Sequence, residues 1–64
     1  MKGTIRKLLS DKGCGFIVGD DRKDYFFHKS ALKNAKFDEL GEGEEVEFED
    51  SEGAKGPRAE DIYV

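Results

Sequence analysis

Lys12-Gly13-Cys14-Gly15-Phe16-Ile17 and, after a short polar interval, Tyr25-Phe26-Phe27-His28 are the stretches from which the fold can be read. Side chains of an extended strand alternate between its two faces, so Phe16 lies opposite in sense to Ile17. Likewise Phe26 and His28 share one face while Tyr25 and Phe27 share the other. If Ile17, Tyr25 and Phe27 fill an interior, then Phe16, Phe26 and His28 stand together outside. The glycines beside Phe16 are expected to leave room for a flat group against its ring. Three rings from two adjacent strands, bordered by cations, form a surface suited to stacking unpaired bases.

The same alternation runs through the rest of the chain, and helical periodicity is nearly absent. Thr4 to Leu8 reads as a first strand with Ile5 inward, and Ser10-Asp11-Lys12-Gly13 as a turn. Cys14 to Gly19 is a second strand, and Asp20-Asp21-Arg22-Lys23 is short and polar enough for a hairpin connection. Asp24 to Lys29 follows as the third strand. Ser30-Ala31-Leu32 can begin one helical turn, with the Ser30 hydroxyl as its cap. Residues 33–43 form a longer loop that contains Phe37 and Leu40. Glu45-Val46-Glu47-Phe48-Glu49 puts Val46 and Phe48 inside and the glutamates in water. Ser51 to Gly56 reads as a glycine-rich loop, and Pro57 to Val64 as the last strand, with Ala59 and Ile62 in the core. Five short strands in 64 residues are too little for a two-sheet sandwich. Curling into a barrel buries one face and removes most free edges. The expected fold is therefore all-β, a small five-stranded antiparallel barrel of the oligonucleotide/oligosaccharide-binding (OB) type, as a single domain over residues 1–64.

Composition narrows the function. One cysteine, Cys14, cannot form an intramolecular bridge, and neither an export signal nor a membrane-length apolar segment is visible. The expected setting is the cytoplasm, without a membrane partner. The net charge is −4, but its distribution is uneven. Residues 1–37 hold nine Lys/Arg and four Asp/Glu, a balance of +5, whereas residues 38–64 hold two and eleven, a balance of −9. Fields are screened over about 8–10 Å at physiological salt, so the local balance governs a binding face. Both ring-bearing stretches lie in the positive half.

Taken in order, the segments resemble a bacterial cold-shock domain almost from end to end. Lys12 to Ile17 is similar to the family's Lys-Gly-Phe-Gly-Phe-Ile, and Tyr25 to Lys29 to its Val-Phe-Val-His-Phe, followed by a similar Ser30-Ala31-Leu32. Phe37, Leu40 and Gly43 match its Gly-Phe-x-x-Leu-x-x-Gly loop, Glu47-Phe48-Glu49 its Glu-Phe-Glu strand, and Gly53 to Ala59 its Gly-x-x-Gly-Pro-x-Ala close. The resemblance implies a barrel that binds single-stranded RNA or DNA with little sequence selectivity and serves as an RNA chaperone. The binding residues it implies are Arg6, Lys12, Phe16, Phe26, His28, Phe37 and Lys55, with Asp24 at a position of polar contact to bases. This chain also departs from the pattern. Lys7 stands where the family usually has Trp, Leu9 where Asn is frequent, and Cys14 and Lys29 where rings are usual. Lys7 and Lys29 can meet phosphates instead, which makes a larger share of affinity depend on salt.

Other readings of these residues are available. Phe37 can be a loop anchor or a further stacking ring. Cys14 can be a small substitute for a ring or a redox-sensitive thiol. The chain as a whole can be a protein-interaction barrel whose acidic strand, Glu44 to Glu49, meets a basic partner. An enzyme is not expected, because one His and no nucleophile–base–orienter set are present. No cofactor, metal or small-molecule substrate is expected, and the expected state is a monomer. An RNA-recognition motif would need two helices that the periodicity does not provide.

Overall fold

The computed structural model describes residues 1–53 and 56–64. Its strands are β1 (Lys2–Leu9), β2 (Cys14–Gly19), β3 (Asp24–His28), β4 (Glu45–Gly53) and β5 (Gly56–Tyr63), with 3₁₀ turns at Lys29–Ala31 and Phe37–Glu39. They close into a barrel in the order β1-β2-β3-β5-β4, with β4 returning to β1. Four seams are antiparallel; the β3–β5 seam is parallel and is registered at Phe26↔Arg58. This is the five-stranded OB arrangement expected from the alternation. No helix among the described residues is long and apolar enough to cross a membrane.

Ile5, Ile17, Tyr25, Phe27, Val46, Phe48, Ala59 and Ile62 form one buried cluster, and Leu8, Ala31, Leu32, Phe37 and Leu40 pack around it. Two bulges reconcile this core with the sequence. In β1 the pairing passes from Ile5↔Ile17 to Lys7↔Phe16, so Arg6 and Lys7 both stay in solvent and Leu8 turns inward. In β5 the register shifts opposite Glu47–Glu49, and Asp61 takes a left-handed φ of 49°. The extra residue lets Ala59 and Ile62 both face inward although they are three apart.

Three local expectations change. Gly15 leaves room on the inside rather than for an outer ligand: a Cβ there would strike the Lys7 carbonyl and come within 2.9 Å of Phe27 Cε1. Ser51–Gly53 belongs to β4 rather than to a loop, because the ladder continues through Ser51↔Arg58, Glu52↔Pro57 and Gly53↔Gly56. Antiparallel pairing with its immediate neighbour outweighs the polar composition of that segment. The first 3₁₀ turn is capped by His28, whose ring accepts from the Ser30 N–H, rather than by the Ser30 hydroxyl.

The hairpin that carries the rings is pinned at its tip. The Gly19 N–H donates to the Lys23 carbonyl across the β2–β3 turn, and Arg22 takes a left-handed φ of 67°. The Tyr25 ring is buried, and its hydroxyl donates to Asp21 Oδ2 at 2.6 Å. That bond, chiefly, lowers the Asp21 carboxyl below its ordinary value and raises the Tyr25 phenol to about 12. The Asp21 contribution to stability is therefore present above the ordinary carboxylate pKa and lost as pH falls through the lowered one. The Tyr25 contribution is present below about pH 10 and lost as pH rises toward 12. Asp21→Asn is expected to flatten the acid-side fall in thermal midpoint and to bring the Tyr25 phenol back toward 10. Unfolding scans from about pH 2 to about pH 7 and the ring Cζ shift of Tyr25 check the two effects.

Candidate nucleic-acid interface

Phe16 and Phe26 are direct cross-strand partners in the β2–β3 ladder. Their rings meet edge to face, with centroids 5.7 Å apart and planes at 69°. Both are half-buried, while Ile17 and Phe27, the residues next in sequence, are 0 % and 1 % exposed. The barrel interior is thus filled by the alternate residues, and the two benzyl groups lie on its outside. His28, two residues beyond Phe26, shares that face and is also half-buried. The expected gathering of Phe16, Phe26 and His28 on one outer platform is what the structure contains.

His28 is oriented by its own turn. Nδ1 accepts the Ser30 backbone N–H at 3.2 Å and lies 3.0 Å from the Ser30 hydroxyl. An acceptor at Nδ1 places the proton of the neutral ring on Nε2, which becomes the remaining donor. Cys14, opposite His28 in the ladder, has the parity of Phe16 but is a free thiol only 7 % exposed. Its place in the row therefore offers neither a ring nor an open thiol.

Charged groups surround the rings. Lys7 pairs with Phe16 across the β1–β2 seam and is exposed. Arg6 and Asp24, expected as separate contacts, are brought together: Arg6 Nη1 lies 3.0 and 2.9 Å from the two Asp24 oxygens. The side chains are 62 % and 50 % exposed, so the pair contributes roughly 0–1 kcal/mol and can be exchanged for other partners. Asp24 pairs with Val18, two positions along the ladder from the Phe16–Phe26 pair, which sets this ion pair at one end of the row.

At the other end, Lys12, Lys29 and Lys36 line an open groove of about 530 Å³ with Phe37, Ser10, Asp11 and Asp38. The stem of Lys29 lies across Gly13, where a Cβ would be 3.0 Å from its Cδ. Phe37 is an anchor of its loop, its ring packing 6.2 Å from that of Phe27, and it also forms part of the groove wall. A second groove of about 540 Å³ runs past Lys2, Thr4, Glu45, Glu47 and Tyr63, where the carboxylates oppose a phosphate backbone. Lys55 lies outside the described residues. No group of His, Cys, Asp and Glu among the described residues is arranged to hold a metal ion.

Two residues near the platform did not emerge from the sequence. Lys36 enters through the loop path, which alternation does not encode. Arg58 arrives from β5, with its guanidinium carbon 5.7 Å from the Phe26 centroid. Its outward direction follows from Ala59 being inward, but its neighbour depends on the β3–β5 closure.

Comparison with known proteins agrees with this geometry. The model of the 'Cold-shock' DNA-binding domain matches residues 1–64. The chain is 44% identical to the cold shock-like protein CspE of Escherichia coli over 65 residues, covering 100% of this chain and 94% of that protein. It is 45% identical to the cold shock-like protein of Thermotoga maritima over 64 residues, covering 100% and 97%. With cold shock protein 2 of Lactiplantibacillus plantarum the identity is 40% over 60 residues, covering 94% and 91%.

The His28 geometry has a direct spectroscopic consequence. Long-range proton–nitrogen correlations of the neutral ring are expected to show the proton on Nε2. Ser30→Ala should leave that tautomer in place, because the backbone donor survives; a shift of the proton to Nδ1 in the wild type would contradict the assignment.

Proposed function

The chain belongs to the cold-shock domain family and is a nucleic-acid-binding barrel; from that footing we propose that it captures unpaired RNA or DNA with low sequence selectivity and acts as an RNA chaperone. The observation that carries this reading is the Phe16–Phe26 pair standing outside a filled interior, with His28 alongside and cations around it. Bases stack on the rings, which accept every base because each has a π face. His28 Nε2–H donates to a base edge or phosphate. Lys7, Lys12 and Lys29 follow the backbone, Phe37 meets a base at the groove, and Lys55 adds a further cation.

The Arg6–Asp24 pair orients two groups that a strand can use separately. When a phosphate draws off the guanidinium, Asp24 is released to accept from a base amine. Duplex regions that open transiently are held open by mass action, because the protein binds only the open form; no nucleotide hydrolysis is required. The acidic strand β4, with Glu45, Glu47 and Glu49 exposed, sets a charge of the wrong sign for phosphate away from the rings. The working unit in this reading is a cytoplasmic monomer that uses neither cofactor nor metal and performs no catalysis. The protein-interaction alternative is not favoured, since the family match spans the residues that carry the platform.

Lysines at positions 7 and 29 give this member its own balance. Stacking is worth about 1–3 kcal/mol per base, whereas each phosphate contact on a single strand changes the salt slope by about 0.7. Affinity is accordingly expected to be lower, and more salt-dependent, than for a member with rings at both positions.

The test is a fluorescence titration with matched pyrimidine-rich RNA and DNA strands at two salt concentrations. Phe16→Ala and Phe26→Ala should each lower affinity by about five- to a hundredfold while thermal unfolding stays cooperative. Wild-type affinity in both variants would overturn the stacking mechanism.

A further inference from the structure

Arg58 is poised over Phe26, one of the two rings on which the proposed mechanism depends. We propose that it clamps one base of the bound strand against Phe26, with the benzyl ring on one face of the base and the planar guanidinium on the other. This deepens the single-strand reading, on which it rests, by naming the place where a base is enclosed from both sides.

Two independent features of the fold build the clamp. The parallel β3–β5 seam is registered at Phe26↔Arg58, so barrel closure itself delivers Arg58 to that ring. In the free protein the guanidinium carbon rests 5.7 Å from the ring centroid, held there by cation–π attraction. On its other side, the stem lies across Gly53, which sits diagonally opposite on β4. A Cβ at Gly53 would come 2.5 Å from Arg58 Cδ and 3.1 Å from its Cγ, so only glycine admits the stem in this position. The ion pairs among the described residues are Arg6–Asp24 and Lys33–Asp61, and Arg58 takes part in neither.

Distance decides how a base enters. A flat base between two surfaces needs two contact layers of roughly 3.5–4.0 Å, or about 7–8 Å in all. The observed 5.7 Å is too narrow for the base but short of that separation by only about 1.3–2.3 Å, a movement within reach of one exposed side chain. A guanidinium plane stacks on a base as an ammonium does not. The row Phe16–Phe26–Arg58 then crosses β2, β3 and β5. Its planar surface is extended on the side away from Lys7, where a ring is missing.

The experiment titrates a short pyrimidine-rich single strand into wild type, Arg58→Ala, Arg58→Lys, Gly53→Ala, Phe26→Ala and the Phe26→Ala/Arg58→Ala double variant, at two salt concentrations. The clamp predicts that Arg58→Ala and Arg58→Lys both lose about three- to thirtyfold in affinity with the salt slope unchanged. Gly53→Ala, which displaces the stem but keeps the charge, should lose a similar amount. In the Phe26→Ala background, removing Arg58 should cost nothing further. Full affinity in Arg58→Lys, together with a slope shallower by about 0.7 in Arg58→Ala, overturns the clamp and makes Arg58 a phosphate contact. Binding that requires Phe16 and Phe26 but not Arg58 overturns the clamp alone. Wild type that fails to bind the strand overturns the single-strand reading and the clamp together.

Discussion

Pairing register between β2 and β3 is the constraint on which the rest of the structure depends. Phe16 faces Phe26 across that seam, and Ile17 faces Tyr25. A slip of one residue would turn every side chain of one strand to the other face, sending Phe16 inward and Ile17 into water. The register is held from both ends. The Asp20–Lys23 turn and the Tyr25–Asp21 bond fix one end, and the Lys29 N–H bonded to the Gly13 carbonyl fixes the other. The inward clearance at Gly15 opposes the slip as well, because Phe27 occupies the space that a side chain at 15 would need. An interior closed in this way has no place for two further phenylalanines. Their exposure is a consequence of packing, and it is the property that gives the surface its chemistry.

The electrostatic arrangement follows from the same closure. Positive residues of the N-terminal half are carried on β1 and the turns next to the rings, while the glutamates of β4 alternate outward on a separate strand. A chain of net charge −4 can therefore present a cationic rim to a polyanion, because screening confines each field to about 8–10 Å. The ion pair at the rim is exposed and weak, which suits groups that must exchange partners on binding. The firm interactions, in contrast, lie beneath the platform: the Tyr25 and Phe48 rings are 5.1 Å apart in the core, within the eight-residue buried cluster.

Much of this was legible in the sequence because strand alternation has a fixed period. Ile5, Tyr25, Phe27, Val46, Phe48, Ala59 and Ile62 are buried as the pattern requires, and Phe16, Phe26 and His28 lie on the opposite side. The spacing of Ala59 and Ile62 already implied a break in alternation, but its form, a bulge with Asp61 left-handed, needed the paired strand. The β1 bulge was hidden for the same reason: Arg6 and Lys7 are both polar, so neither reveals which is displaced. Contacts between residues distant in sequence were not legible. Arg6 with Asp24, Arg58 over Phe26, and the Lys29 stem on Gly13 each depend on which strands become neighbours. Burial of Cys14 was also out of reach, since parity alone sets it beside Phe16, whereas its partners in the ladder are Leu9 and His28.

The most direct measurement of the central claim is a map of backbone amide shifts on adding a short pyrimidine-rich single strand to the folded protein. The account requires the largest changes to fall on residues 14–18 and 24–28 and on Arg58, with Glu45, Glu47 and Glu49 little affected. Changes centred on β4, or an unperturbed β2–β3 face at millimolar strand, would contradict it.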